Sequence, residues 1–113
     1  VYLTDSTENR KTICHIYNEV SIELFGYGTV ILKANIREDV LTIRSKHRRA
    51  QRSEALEREI PLLKEEVDFH LSKLFKSMLR QKLEQEMGLN IIAVLRDYDS
   101  STQWAFTNII LAP

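Results

Sequence analysis

Asp97 and Asp99, two residues apart after the apolar run Ile91-Ile92-Ala93-Val94-Leu95, come nearest to chemistry in this 113-residue chain. An Asp-x-Asp pair at the end of a strand can hold Mg2+ and present a nucleophilic carboxylate for phosphoryl transfer. Enzymes that work this way also need a parallel sheet, a later lysine and a later acidic pair. The fourteen residues after Asp99 contain no lysine, aspartate or glutamate. Residues 97 to 102 are turn formers, so the pair is expected in a hairpin loop.

The second constellation is basic. Arg44, Lys46, His47, Arg48, Arg49 and Arg52 form the strongest local charge asymmetry in the sequence, and Arg44, Lys46, Arg48, Arg49 and Arg52 are the candidate contacts for an anion or an acidic partner. Against RNA stand 16 basic and 16 acidic side chains that cancel, the lack of a strand-aromatic RNA-binding signature, and the acidic residues from Glu54 onward. A solvated connection paired with those glutamates is the leading expectation, and an RNA or phosphate-binding module is the alternative.

The remaining reactive types are scattered. His15, His47 and His70 have no i, i+4 pairing of the kind that puts two metal ligands on one helical face. Cys14 is the only cysteine, which rules out an internal disulfide and a multi-thiolate zinc site, and it is expected to be a semi-buried small hydrophobe. No catalytic residue, cofactor or metal is expected, and the chain is read as non-enzymatic.

These side chains need elements to position them. Apolar residues make up 43% and charged residues 28%, a globular balance that fits one domain over residues 1–113. Ile13, Ile16, Tyr17, Val20 and Leu24 form one stripe of a helix over 4–25, with Asp5 and Glu8 at its start and Gly26 ending it. Val30, Leu32, Ala34 and Ile36 then alternate as the buried face of a strand. Residues 40–46 form its hairpin partner, with Leu41 and Ile43 inward.

Pro61 divides the next stretch into a short helix over 53–60 and a main helix that runs from Pro61 to Gly88. Leu63, Val67, Leu71, Leu74, Phe75, Met78 and Leu79 form its broad apolar stripe, extended by Leu83 toward Met87. Strands over 90–96 and 103–111 complete an α+β fold, α-β-β-α-β-β. It is a two-layer sandwich with a four-stranded antiparallel sheet, two helices on one face, and a long second helix. Two helices cover one face of a sheet whose last strands carry apolar residues for both, so a homodimer is expected. Leu74, Met78, Trp104 and Phe106 are the candidate interface residues.

Three stretches resemble one bacterial family. The helix Ile13-Cys14-His15-Ile16-Tyr17-Asn18-Glu19-Val20 runs into Phe25-Gly26-Tyr27-Gly28, a strand pair is followed by a long charged helix, and Glu86-Met87-Gly88-Leu89-Asn90-Ile91-Ile92-Ala93-Val94 leads to Asp97. Together they are similar to MpsC, of the Na+-translocating membrane-potential-generating system. The segment Arg48-Arg49-Ala50-Gln51-Arg52-Ser53-Glu54 and Pro61 depart from that family's pattern, as a divergent member would. The resemblance implies an accessory or regulatory protein linked to membrane ion or bicarbonate transport, with a transport protein as partner and no catalytic residues to carry over. With no apolar run of the ~20 residues a span requires and no apolar signal core, a cytoplasmic setting is expected. The chain opens on Val1, which leaves room for a longer protein.

Overall fold

The computed structural model describes residues 3–48 and 50–113. Helix α1 spans Thr7–Phe25 and buries Ile13, Ile16, Tyr17, Val20 and Ser21, the i, i+3, i+4, i+7, i+8 stripe of a helix lying on a core. Its N-cap is Ser6, whose Oγ accepts the Asn9 N–H at 3.0 Å, and not Asp5 as the sequence suggests. Asp5 is drawn elsewhere: its carboxylate accepts from Arg10 at 2.9 Å and from the Ile36 N–H at 3.2 Å. Gly26 closes the helix at φ 94°, a left-handed conformation that glycine adopts without a Cβ clash.

Strands β1 (Ile31–Arg37) and β2 (Val40–Lys46) form the first hairpin, and β3 (Ile91–Asp99) and β4 (Trp104–Leu111) the second. The hairpins join through β2 and β4, giving the antiparallel order β1-β2-β4-β3. Strand β3 reaches Asp99, so Asp97 and Asp99 are strand residues and the turn is confined to the residues that follow. The hairpin ladder keeps pairing through Asp97 with Phe106 and Asp99 with Trp104, which overrides the local turn preference.

Helix α2 (Gln51–Glu59) begins two residues earlier than expected and buries none of its residues. Ile60 separates it from α3 (Pro61–Met87) because a residue before proline is driven out of helical geometry; its φ is −141° and ψ 71°. With 27 residues α3 is roughly 40 Å long, which sets the 48 Å long axis of the molecule. Gly88, at φ 64°, ends it.

Helices α1 and α3 pack on one face of the sheet. Phe75, Leu79 and Leu83 of α3 meet Tyr17, Leu41, Ile43 and Ile109 in a core whose members are fully buried. The stripe of α3 differs from the expected one at Leu63 and Leu74, which are exposed, and at Lys64, which is buried; Leu83 is buried and extends the stripe as expected. The N-terminal half of α3 packs on α2, and its fully buried apolar positions begin only at Phe75. Among the described residues no helix is long and apolar enough to cross a membrane.

Candidate functional site

At one end of the sheet the core opens into a cavity of about 310 Å3, at the lower end of the range for small-molecule sites. Five segments line it. The C-terminal end of α1 and the turn after it supply Ser21, Leu24, Phe25 and Tyr27, and the end of β2 supplies His47 and Arg48. Helix α2 and its lead-in bring Ala50, Arg52 and Ser53; α3 brings Lys64, Val67, Asp68, Leu71 and Ser72; and β3 brings Arg96 and Tyr98.

Arg96 is the centre of the polar wall. Its strand position faces the helices, between Val94 and Tyr98, and its guanidinium lies 4.5 Å from the centroid of Phe75 and 5.4 Å from that of Tyr98. One terminal nitrogen donates to Ser72 Oγ at 2.7 Å and the other reaches His47 Nε2 at 3.2 Å. Its Nε is buried with no partner among the described residues. Such a donor is costly to leave unmatched.

His47 is 7% exposed. Burial, reinforced by the neighbouring Arg96 cation, pushes its pKa down to about 3. A guanidinium only donates, so Nε2 is the unprotonated nitrogen and the ring proton sits on Nδ1. Tyr17 Oη is 2.9 Å from the same Nε2 and 2.7 Å from Ser45 Oγ. The imidazole is thus a neutral acceptor engaged by two donors, and its ring packs edge-on to Phe25 and Phe75.

Lys64 is 6% exposed and bonds to Asp68 one turn on, the i, i+4 geometry of a helical ion pair. Among the described residues Asp68 is the only carboxylate lining the cavity, against four cations, Arg48, Arg52, Lys64 and Arg96. Among the described residues none of the three arginines is paired with a carboxylate. Leu24, Phe25, Val67 and Leu71 supply apolar lining beside these charges. The cavity therefore offers excess positive charge beside an apolar surface, a match for a small organic anion.

The sequence-derived candidates fall in three places. Arg48 and Arg52 line the cavity. Arg44 and Lys46 point from the opposite face of the sheet, since they alternate with the buried Ile43 and Ser45. Arg49 lies outside the described residues. The expected dimer residues also separate: Trp104 and Phe106 lie on the helix-free face of β4, while Leu74 and Met78 belong to the helix layer, Met78 partly packed on the core.

Asp99 is occupied by its own turn. It accepts from Thr102 Oγ1 at 2.5 Å and Ser101 Oγ at 2.8 Å, and these bonds hold its pKa below the usual carboxylate value. Cys14 is half-buried and its thiol pKa is raised by that burial. Among the described residues no three His, Cys, Asp or Glu side chains converge as a metal site would require.

Sequence reasoning missed Lys64, Asp68, His47 and Arg96 as parts of one site. Lys64, Asp68, Leu71, Phe75 and Leu79 follow i, i+4, i+7, i+11, i+15, so two charged residues stand on the core stripe of α3. Likewise the inward parity of Val94 and Tyr98 makes Arg96 an inward arginine. Charge at apolar-phase positions was the available signal. Compared with protein-family models, with curated proteins and with solved structures, the chain matches none of them.

Proposed function

We propose that this chain is a non-enzymatic accessory or regulatory protein that binds a small organic anion in the cavity between α1, α3 and the end of the sheet. One observation carries the reading: among the described residues four cations and a single carboxylate line a cavity of about 310 Å3, and one of those cations, Arg96, has a buried nitrogen that none of them matches. A buried cation is stabilised when an anion replaces the water it has lost. The ligand places its carboxylate or phosphate toward Arg96, Lys64, Arg48 and Arg52, and a short apolar body against Leu24, Phe25, Val67 and Leu71. Binding rather than turnover is favoured by His47, which is neutral and already engaged as an acceptor and so is poorly placed to serve as a general base.

The element order, the Gly26-Tyr27-Gly28 turn and the segment from Glu86 to Asp97 support an MpsC-like protein, acting beside a membrane ion or bicarbonate transporter. An anion-responsive pocket suits such a regulator. The test is a thermal-shift series with short-chain and aromatic monocarboxylates, inorganic phosphate and bicarbonate, each beside a neutral amide or alcohol of the same shape where one exists. A ligand at one hundred times its dissociation constant stabilises by about 2.7 kcal/mol, or roughly 11 °C for a chain of this size. The anions are expected to raise Tm and their neutral counterparts to leave it unchanged, with the response lost in Arg96→Met. Equal responses to charged and neutral members, or an undiminished response in Arg96→Met, would overturn the proposal.

A further inference from the structure

Among the described residues no element covers the face of the sheet away from the helices, and the residues of that face form four cross-strand rows. Following β1, β2, β4 and β3 in turn, the rows are Ile31-Lys46-Trp104-Asp99, Lys33-Arg44-Phe106-Asp97, Asn35-Thr42-Asn108-Leu95 and Arg37-Val40-Ile110-Ala93. Phe106 is 49% exposed and Leu95 56%, with Trp104 and Ile110 half-covered beside them. Lys33, Arg37, Arg44 and Lys46 make one half of this face basic. Asp97 and Asp99 make the far edge acidic, and the aromatic strand lies between.

We propose that this face is the interface of a homodimer whose two-fold axis runs parallel to the strands between β2 and β4. Rotation about that axis reverses the strand order and keeps each row level, so β1 stacks on the partner's β3 and β2 on the partner's β4. Lys33 then meets Asp97 of the partner subunit, and Arg44 and Lys46 lie over the partner's Phe106 and the partner's Trp104, cation over aromatic ring. Val40 covers the partner's Ile110. Each contact occurs twice, as an isologous interface demands. A dyad across the strands would instead stack basic half on basic half and acidic edge on acidic edge. Facing sheets in proteins cross at about 30°, which displaces the edge rows by roughly 4 Å, within reach of a lysine side chain.

The same aromatics beside basic side chains could stack single-stranded nucleic acid, but Asp97 and Asp99 border Phe106 and Trp104 directly and would face the phosphates. A second copy matches both signs of charge; a polyanion matches one. The cavity lies on the other side of the sheet, so the dimer stands or falls independently of it.

The test is sedimentation velocity of the full chain from 5 to 500 µM, in low and high salt. A monomer–dimer equilibrium is expected, weakened several-fold by salt. Lys33→Glu and Asp97→Lys are exposed changes that should each leave the thermal melt intact and weaken the dimer at least tenfold. An equimolar mixture of the two variants should dimerise again. In the mixed dimer the glutamate introduced at position 33 of one subunit faces the lysine introduced at position 97 of the other, and the second copy of the contact keeps its native lysine and aspartate. Phe106→Glu should leave a folded monomer. A wild-type monomer at 500 µM would overturn the proposal, as would a dimer indifferent to all three substitutions, or a variant mixture that stays monomeric. A wild-type monomer that binds oligonucleotides through Trp104 and Phe106 would replace the second copy with nucleic acid.

Discussion

Replacing His47 with glutamine should separate one buried titration from the rest of the acid response. His47 has a folded pKa of about 3 against 6.5 for the free side chain. The unfolded chain therefore binds the extra proton as pH falls through 6.5, while the folded chain refuses it until about 3. The stability this represents is fully present above pH 6.5 and is lost progressively as pH falls toward 3. Between pH 8 and pH 5 the loss is about 2 kcal/mol, at 1.36 kcal/mol for each unit below the unfolded pKa. For 113 residues that corresponds to a drop in Tm of about 8 °C. Glutamine offers Arg96 and Tyr17 an acceptor oxygen but does not titrate. His47→Gln should be less stable than wild type at pH 8, and the gap should narrow by about 2 kcal/mol at pH 5. Urea unfolding of both proteins at each pH reads the gap, in which His15, His70 and the carboxylates cancel. A gap constant to within about 0.5 kcal/mol would refute the reasoning, as would an NMR titration in which His47 protonates near its ordinary value.

Further substitutions probe the frame that holds the cavity. A Cβ at Gly28 would lie 2.7 Å from Asn18 Oδ1, the atom that accepts the Thr29 N–H at 2.9 Å, so Gly28→Ala should cost about 1–3 kcal/mol in denaturant unfolding. Combined with Asn18→Ala its cost should be sub-additive, since both act on one contact. Phe75→Ala should cost about 3–5 kcal/mol because the ring is fully buried among Tyr17, Phe25 and His47, whereas Leu62→Ala, at 79% exposure on the same helix, should stay within about 0.5 kcal/mol by the same assay. Tyr17→Phe removes the hydroxyl that joins Ser45 to His47 and should cost about 1–2 kcal/mol in the same measurement.

The architecture was legible because its signals are local. Gly26, Pro61 and Gly88 punctuate the chain, and the change of period from 3.6 to 2 at residue 30 marks the first strand. The end of β3 was misread for the same reason: Asp97-Tyr98-Asp99 has turn composition, while its pairing with Phe106, Ala105 and Trp104 depends on a strand several residues away. The cavity was hidden more thoroughly. Its lining runs from Ser21 to Tyr98 across five segments, and no spacing along the chain brings Lys64 near Arg96. The basic run, conspicuous in sequence, is split where β2 ends: Arg44 and Lys46 lie on the strand's helix-free face, whereas Arg48 follows the strand and Arg52 belongs to α2, and both line the cavity. One-dimensional density of charge misled, because the chain leaves the strand in the middle of the run and turns into α2.

The inward charges are concentrated in a way that core packing does not require. From Phe75 to Leu83 the core stripe of α3 is apolar, yet Lys64, Asp68 and Arg96 all occupy inward positions around one cavity. A buried ion pair is rarely the most stable solution, since desolvation offsets its attraction, and well-packed apolar replacements are often neutral or stabilising by about 1–4 kcal/mol. Lys64→Met with Asp68→Leu should therefore keep or raise the stability of the ligand-free protein. Lys64→Met alone should lower it by about 1–3 kcal/mol, by leaving Asp68 without its cation. If the charges serve an anion, the double variant should also lose most of its response to the carboxylate that stabilises wild type, while Asp68→Asn keeps or strengthens that response. A double variant destabilised by more than about 2 kcal/mol would mean that the pair holds the fold together, and a full ligand response in that variant would remove Lys64 from the site.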